Sequence, residues 1–201
     1  MKYMKRLNRE FYTKDAITVA KNLLGKYLAH NYYGHKLSGK IVETEVYADI
    51  NDLASHCYGG KITKRNKAEF MIGGHIYIYL VYGMYWQLNI STGKEGVPEC
   101  VLIRALKPVD GIDIMMKKRN TNNISNLTNG PGKLCDAFGF NKSHYALDLA
   151  VSKKIYIEDR GLKINKKEII SAKRIGIDYA AEWKDKLLRF YIQNNKFVSQ
   201  F

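Results

Sequence analysis

The 201-residue sequence predicts a mixed α+β protein folded as a single domain, residues 1–201, and three observations carry that reading. Stretches around 41–47, 75–91 and 98–107 are rich in β-branched and aromatic residues, and the first alternates with a period of two. Short segments with helical spacing of apolar residues lie between them. No repeat, low-complexity tract or Pro/Gly/Ser-rich linker divides the chain, and its length suits one core.

In chain order, residues 1–11 form a basic lead-in with few structural cues. Thr13 is expected to cap a helix through about Leu24, with Ile17, Ala20, Leu23 and Leu24 as its buried stripe and Gly25 ending it. Residues 26–33 read as a strand, turned back by Tyr33–Gly39 into a second strand from Ile41. In that strand Glu43, Glu45 and Tyr47 should share one face, because successive side chains alternate. Asp49–His56 reads as a short helix that carries His56 toward Glu45, and Lys61–Arg65 as a basic loop. Residues 75–91 predict two strands meeting in a tight turn near Tyr82-Gly83. Residues 98–107 give another strand, apolar except for Arg104 and stopped by Pro108. Asp110 is expected to open a helix with Ile112, Met115 and Met116 inward and Lys117, Lys118 and Arg119 at its end, a placement that suits the helix dipole. A polar loop over 120–129 and Gly130-Pro-Gly-Lys then lead to a helix over Leu134–Phe138. The remainder predicts strands at Ile155–Glu158 and Ile169–Ile175 and a basic, aromatic tail.

Charge narrows the class of partner. The formal net charge is +14, from 33 Lys and Arg against 19 Asp and Glu. Such an excess points to a polyanion. Fifteen tyrosines spread through the basic chain favour nucleic acid over a membrane surface, since their rings can stack on bases. Cys57, Cys100 and Cys135 are too few and too far apart for a disulfide framework or a CxxC metal site, and read as free thiols in a reducing compartment. No signal peptide opens the chain and no apolar run approaches the ~20 residues of a membrane span. A soluble, intracellular protein is expected, cytoplasmic at the nucleoid if the source is bacterial.

Several chemistries fall to motif inspection. A Walker A loop would need Gly where Leu127 stands and Ser or Thr where Leu134 stands. The five histidines show no HxH or HxxxH spacing, so no metal is expected. No nucleophile elbow surrounds a Ser or Cys. Glu45 is the best general base, with Arg104 as its partner from a neighbouring strand.

The residues also carry a resemblance. Leu23–Lys26, Ile41–Tyr47, Asp52–His56, Arg65-Asn66 with Phe70-Met71, Tyr77–Tyr85, Asn89, Val101–Pro108 and Gly130–Cys135 fall in the order and spacing of one family. Arg174–Gly176, Trp183 and Arg189–Tyr191 continue the match. Together these blocks resemble the alkyladenine (3-methyladenine) DNA glycosylases found in mammals and many bacteria, from about Leu23 to Tyr191.

The resemblance implies a curved antiparallel sheet with a protruding, DNA-intercalating hairpin, no metal or cofactor, and a monomer acting on double-stranded DNA that contains damaged purines. Glu45 matches the water-activating acid and Arg104 the residue that helps hold that water. Tyr47, His56 and Tyr79 match the residues around a flipped base, with Tyr77 and Asn89 in the same pocket and Asn89 excluding the guanine 2-amino group. Tyr82 matches the intercalating wedge. Thr63, Arg65, Arg119, Lys133 and Lys142 match contacts to the DNA backbone. No lysine stands at a nucleophile position, so a Schiff-base lyase step is not expected. Three positions depart from the pattern. Glu69 replaces a frequent Met and is expected to face phosphates, Gly73-Gly74 replaces Pro-Gly and should loosen its turn, and Leu187 replaces a frequent Pro. A non-catalytic damaged-DNA-binding protein is the alternative, but it should have lost Glu45. An enzyme releasing a base from free nucleosides or RNA would not need Tyr82 or dispersed phosphate contacts.

Overall fold

The computed structural model describes residues 4–199; residues 1–3 of the basic lead-in and 200–201 of the tail lie outside the described residues. The strands are β1 (Lys5–Arg6), β2 (Tyr27–Tyr32), β3 (His35–Tyr47), β4 (Ile76–Val81), β5 (Tyr85–Ser91), β6 (Cys100–Asp110), β7 (Ile155–Asp159), β8 (Ile169–Ala172) and β9 (Arg189–Ile192). They form one open antiparallel sheet in the order β1-β7-β2-β3-β6-β5-β4, with β9 beside β3 and β8 beyond it. The helices are α1 (Arg9–Tyr12), α2 (Ala16–Leu23), α3 (Ile112–Arg119) and α4 (Pro131–Phe138). The architecture is thus the α+β class expected.

The central strand β3 organises the rest. Its first half pairs with β2 over 35–40, and its second half pairs with β9 at Glu43–Glu45, while β6 flanks nearly its whole length. Register shifts near Ile41 and Glu43 mark the change of neighbour, and such bulges bend a strand and re-aim its side chains. Alternation then sorts the two faces. Val42, Val46, Ile76, Ile78, Leu88, Ile90, Val101 and Ile103 enter the main core. Thr44 points the same way and bonds the Ala20 carbonyl of α2 (3.2 Å). Glu43, Glu45, Tyr47, Tyr77, Tyr79, Asn89 and Arg104 are left on the other face. Loops cover that face through two small clusters. One contains Ala54, Ile177, Ala180 and Trp183, the other Ala68, Tyr77 and Cys100.

Several local expectations need correction. The first long helix starts at Ala16, because Asp15 accepts the Thr18 N–H (2.8 Å), while the Thr13 hydroxyl bonds back to the Glu10 carbonyl (3.3 Å). Ile17 is exposed, and Val19 is buried in its place. The β2–β3 turn is only Tyr33-Gly34, both at positive φ, so His35–Gly39 are already strand. Asp49–His56 is a string of turns, not a helix. The Asp49 and Asp52 side chains bond the N–H groups two residues on, at Asn51 and Ala54 (2.8 and 2.9 Å), which is how Asp competes with helix.

Pro108 does not stop β6, which runs to Asp110. The Leu106 N–H leaves β3 for the Thr128 carbonyl (3.1 Å). Pro108, two residues on, therefore lacks an N–H on a side with no strand. The following helix begins at Ile112, after Gly111 at φ +73°, and α4 begins three residues early with Pro131 in its first turn. A 3₁₀ turn, Ile124–Asn126, interrupts the polar loop, and β8 ends at Ala172 rather than Ile175. Gly73-Gly74 is not a loose turn. Both N–H groups are bonded, to Gly93 and Ser91 carbonyls, and a Cβ at Gly73 would lie 2.2 Å from the Tyr12 carbonyl oxygen. No helix among the described residues is long and apolar enough to cross a membrane.

Candidate active site

Two acidic residues of β3 meet one arginine of β6. Arg104 donates from Nη1 to Glu45 Oε2 (3.1 Å), and its Nε lies 3.4 Å from Glu43 Oε1. Glu43 is further engaged by Arg189 Nη1 (3.0 Å) and by the Ser199 N–H and hydroxyl. With its oxygens occupied, Glu43 is an anchor that fixes Arg104. Glu45 accepts from three donors: Arg104, the Tyr47 hydroxyl on Oε2 (3.1 Å) and the Ile175 N–H on Oε1 (2.9 Å). Burial raises its carboxyl above the ordinary value, and those donors, Arg104 foremost, offset part of the rise. A raised carboxylate is a better base.

A cavity of about 510 Å³ opens over this face, within the size range of small-molecule sites. The five residues expected in a base pocket, Tyr47, His56, Tyr77, Tyr79 and Asn89, all line it, and so does Arg104. Glu45 is fully buried and sits behind this wall, touching the cavity only through Tyr47, Arg104 and Ile175. His56 meets Tyr79 edge to face at 4.5 Å, and Tyr77 lies tilted against Tyr79 at 5.1 Å. The His56 Nδ1 and Tyr77 hydroxyl are hydrogen-bonded at 2.6 Å. The Asn89 amide nitrogen donates to the Tyr77 carbonyl (3.2 Å) and the Gln87 carbonyl (3.4 Å). Leu88 and Ile90 enter the core on either side, as the alternation requires. Tyr82, at φ +52° beside Gly83 at φ +68°, stands 85% exposed at the hairpin tip on the cavity rim.

The backbone-contact candidates are dispersed. Arg65 is exposed and holds its guanidinium over the Tyr79 ring (5.2 Å). Thr63 is exposed and bonds Asn66 within its own loop (2.9 Å). Arg119 and Lys133 line a second cavity; Arg119 pairs with Asp136 (3.1 Å), and Lys133 donates to Asn129 (3.1 Å) and Asn126. Lys142 is exposed in a 3₁₀ turn capped by Asn141.

Sequence reasoning missed three contributors. Arg174 forms a two-pronged pair with Asp52 (2.6 and 2.9 Å), both side chains fully buried, and bonds the Val46 carbonyl (3.0 Å). Its guanidinium stacks on Tyr47 at 4.7 Å. The Ile175 N–H next to it reaches Glu45. Both charged residues stood in matching blocks, yet 122 residues separate them and nothing local pairs them. The third is Glu69, and it corrects an expectation. It is only 1% exposed and does not face phosphates; it lines the floor of the cavity. Its Oε2 accepts the Cys57 thiol (3.0 Å) and lies 3.7 Å from the Cys100 thiol, and burial pushes its pKa up to about 7.

Comparison with known proteins places the chain in a class. The model of a family described as methylpurine-DNA glycosylase matches residues 10–196. That family consists of DNA-repair hydrolases acting on N-glycosyl bonds. A Clostridium acetobutylicum protein named "Putative 3-methyladenine DNA glycosylase" is 47% identical over 96% of this chain and 97% of its own length. Proteins of the same name match too. That of Clostridium novyi is 49% identical, covering 98% of this chain and all of the relative, and that of Desulfitobacterium hafniense 45%, covering 98% and 99%. The chain belongs to the methylpurine-DNA glycosylase family.

Proposed function

We propose that this protein, as a monomer, flips alkylated or deaminated purines out of duplex DNA into the tyrosine-lined cavity and hydrolyses the N-glycosidic bond with a water activated by Glu45. The observation that carries this reading is the buried Glu45–Arg104 pair directly behind an aromatic cavity on a strongly basic chain. A base inside a duplex is out of reach, and extruding it costs a few kcal/mol of stacking. Tyr82, exposed on a hairpin tip of fixed shape, fills the gap from the minor groove and offsets part of that cost. Thr63, Arg65, Arg119, Lys133 and Lys142 hold the phosphates on either side.

Purines methylated at N3 or N7 are cations, and the faces of Tyr47 and Tyr79 with His56 attract them. Asn89 takes the space that a guanine 2-amino group would need. As the bond lengthens, positive charge develops on the sugar, and an ionised Glu45 stabilises it. Water replaces the Tyr47 hydroxyl on Glu45 Oε2, gives its proton to the carboxylate and attacks C1′. Arg104 holds the carboxylate in place throughout. No cofactor takes part in these steps.

The test is Glu45→Gln, measured as base release from duplexes each holding one lesion. All three neighbours of the carboxylate are donors, so the new amide N–H₂ must face one of them, and base and charge are both lost. Release falls by about a hundredfold or more, with lesion-DNA binding retained. Release within tenfold of wild type overturns the reading.

A further inference from the structure

Deaminated purines are neutral, and a neutral purine leaves far more readily once it is protonated. Glu45 cannot supply that proton while it serves as the base. The cavity holds a second carboxyl that the proposed hydrolysis does not use. Glu69, in the 3₁₀ turn Lys67–Phe70, is buried in the cavity floor. Its Oε2 takes the Cys57 and Cys100 thiols, while Oε1 is buried with no hydrogen-bond partner. No ion pair to it is formed among the described residues, whereas Glu43 and Glu45 both have arginine partners. An unpaired, desolvated carboxyl favours its neutral acid form.

The groups facing Glu69 come from every side. Cys57 comes from the turns before it, Cys100 from β6, Tyr77 and Tyr79 from β4, Tyr145 from the loop that follows α4, and Arg65 from the basic loop. Burial is the dominant influence on Glu69, opposed by the two thiols, the Tyr77 hydroxyl and then Arg65. Tyr77 is in turn hydrogen-bonded to His56 Nδ1 at the cavity mouth (2.6 Å). Desolvation and Arg65 hold that imidazole below its usual pKa, so it can pass a proton without keeping it.

We propose that Glu69 stores, as a carboxylic acid, the proton that a neutral purine takes on leaving, and passes it through the Tyr77 hydroxyl and the His56 imidazole. This rests on the reading that the protein releases bases from DNA. The C1′–N9 bond breaks with its electron pair going to the purine. The purine N7 gains the proton that Glu69 loses by way of Tyr77 and His56. Water oxygen bonds to C1′, and its proton goes to Glu45. Glu69 ends as a carboxylate and Glu45 as an acid, and solvent exchange returns both. A cationic methylated purine needs none of this relay.

The test compares single-turnover release of hypoxanthine, which is neutral, and 7-methylguanine, which is cationic, from otherwise identical duplexes across mildly acidic to mildly alkaline pH. In the wild type, hypoxanthine release falls as pH rises through about 7, and 7-methylguanine release shows no such limb. Glu69→Gln lowers hypoxanthine release by about a hundredfold, at least tenfold more than it lowers 7-methylguanine release, and abolishes the alkaline limb. Tyr77→Phe keeps the ring and breaks the relay, so it shifts the same ratio and decides the matter if Glu69→Gln does not fold. Equal losses on both substrates, or an alkaline limb that survives in the variants, overturn the proposal. So does a wild type that releases 7-methylguanine but not hypoxanthine. A wild type that releases neither overturns the proposed function as well.

Discussion

The Asp52–Arg174 pair holds two loops together beside the cavity, and its removal has a calculable cost. Both side chains are fully buried, with two contacts of 2.6 and 2.9 Å between them. In Asp52→Leu the guanidinium keeps the Val46 and Trp183 carbonyls (3.0 and 3.4 Å) and the face of the Tyr47 ring, but no counter-charge. An uncompensated buried charge of this kind costs about 3–5 kcal/mol, a large share of the roughly 5–15 kcal/mol that holds a domain folded. Arg174→Met leaves the Asp52 carboxylate with the Ala54 N–H (2.9 Å) and costs a similar amount. The double variant Asp52→Leu with Arg174→Met removes both charges and refills the volume, so it should lie well above the sum of the singles. Urea unfolding of the four proteins gives the coupling directly, about 3 kcal/mol or more. Base release should fall with the singles, because Arg174 supports Tyr47 from below and precedes the Ile175 N–H that holds Glu45. Singles within about 1 kcal/mol of wild type, or costs that simply add, would refute the claim that the pair fixes this wall.

Asn89→Ser shortens a side chain of the cavity wall and gives up two bonds to the Tyr77 and Gln87 carbonyls. It should raise release of normal guanine relative to hypoxanthine on matched duplexes at a stability cost of about 1 kcal/mol, and an unmoved ratio makes Asn89 purely structural. Alanine at Arg119, Lys133 or Lys142 should each reduce the slope of log K against log salt by about one; unchanged slopes in all three remove them from the interface. Glu69 predicts a pH signature without DNA. Its folded pKa is raised from 4.5 to about 7, so the folded state holds an extra proton between these values, and wild-type stability falls as pH rises through them. Relative to wild type, Glu69→Gln should gain about 3 kcal/mol between about pH 5 and about pH 8. Parallel stability curves for the two proteins would show that this carboxyl ionises freely.

Local signals were legible where the chain itself decides the structure. The hairpin over 75–91 is written in its β-prone run and its single glycine, and Tyr82 and Gly83 both take the positive φ of that turn. Strand period put Glu43, Glu45 and Tyr47 on one face, where Arg104 confirms them. Asp49–His56 was illegible as turns because Asp suits a helix start and an Asx turn equally well. Pro108 misled because only the sheet order reveals that its missing N–H faces no strand. Glu69 misled more deeply. An acid next to a basic loop reads as a surface residue, and only the fold brings Cys57 and Cys100, 12 and 31 residues away, against it. Ile175 could not be found from side-chain chemistry at all, since it acts through its backbone N–H.

The three cysteines have a further consequence. Proteins of this family work where methylating agents have reached DNA, and those agents attack sulfur as well as purine nitrogen. The attacking species is the thiolate. Cys57, Cys100 and Cys135 are all buried. Burial pushes each thiol far up, and the neighbouring Glu69 carboxyl pushes Cys57 and Cys100 further in the same direction. All three therefore stay protonated, and two have their S–H directed at a Glu69 carboxyl oxygen. The most reactive atoms in the protein are thereby withheld from the reagents whose damage it is built to remove.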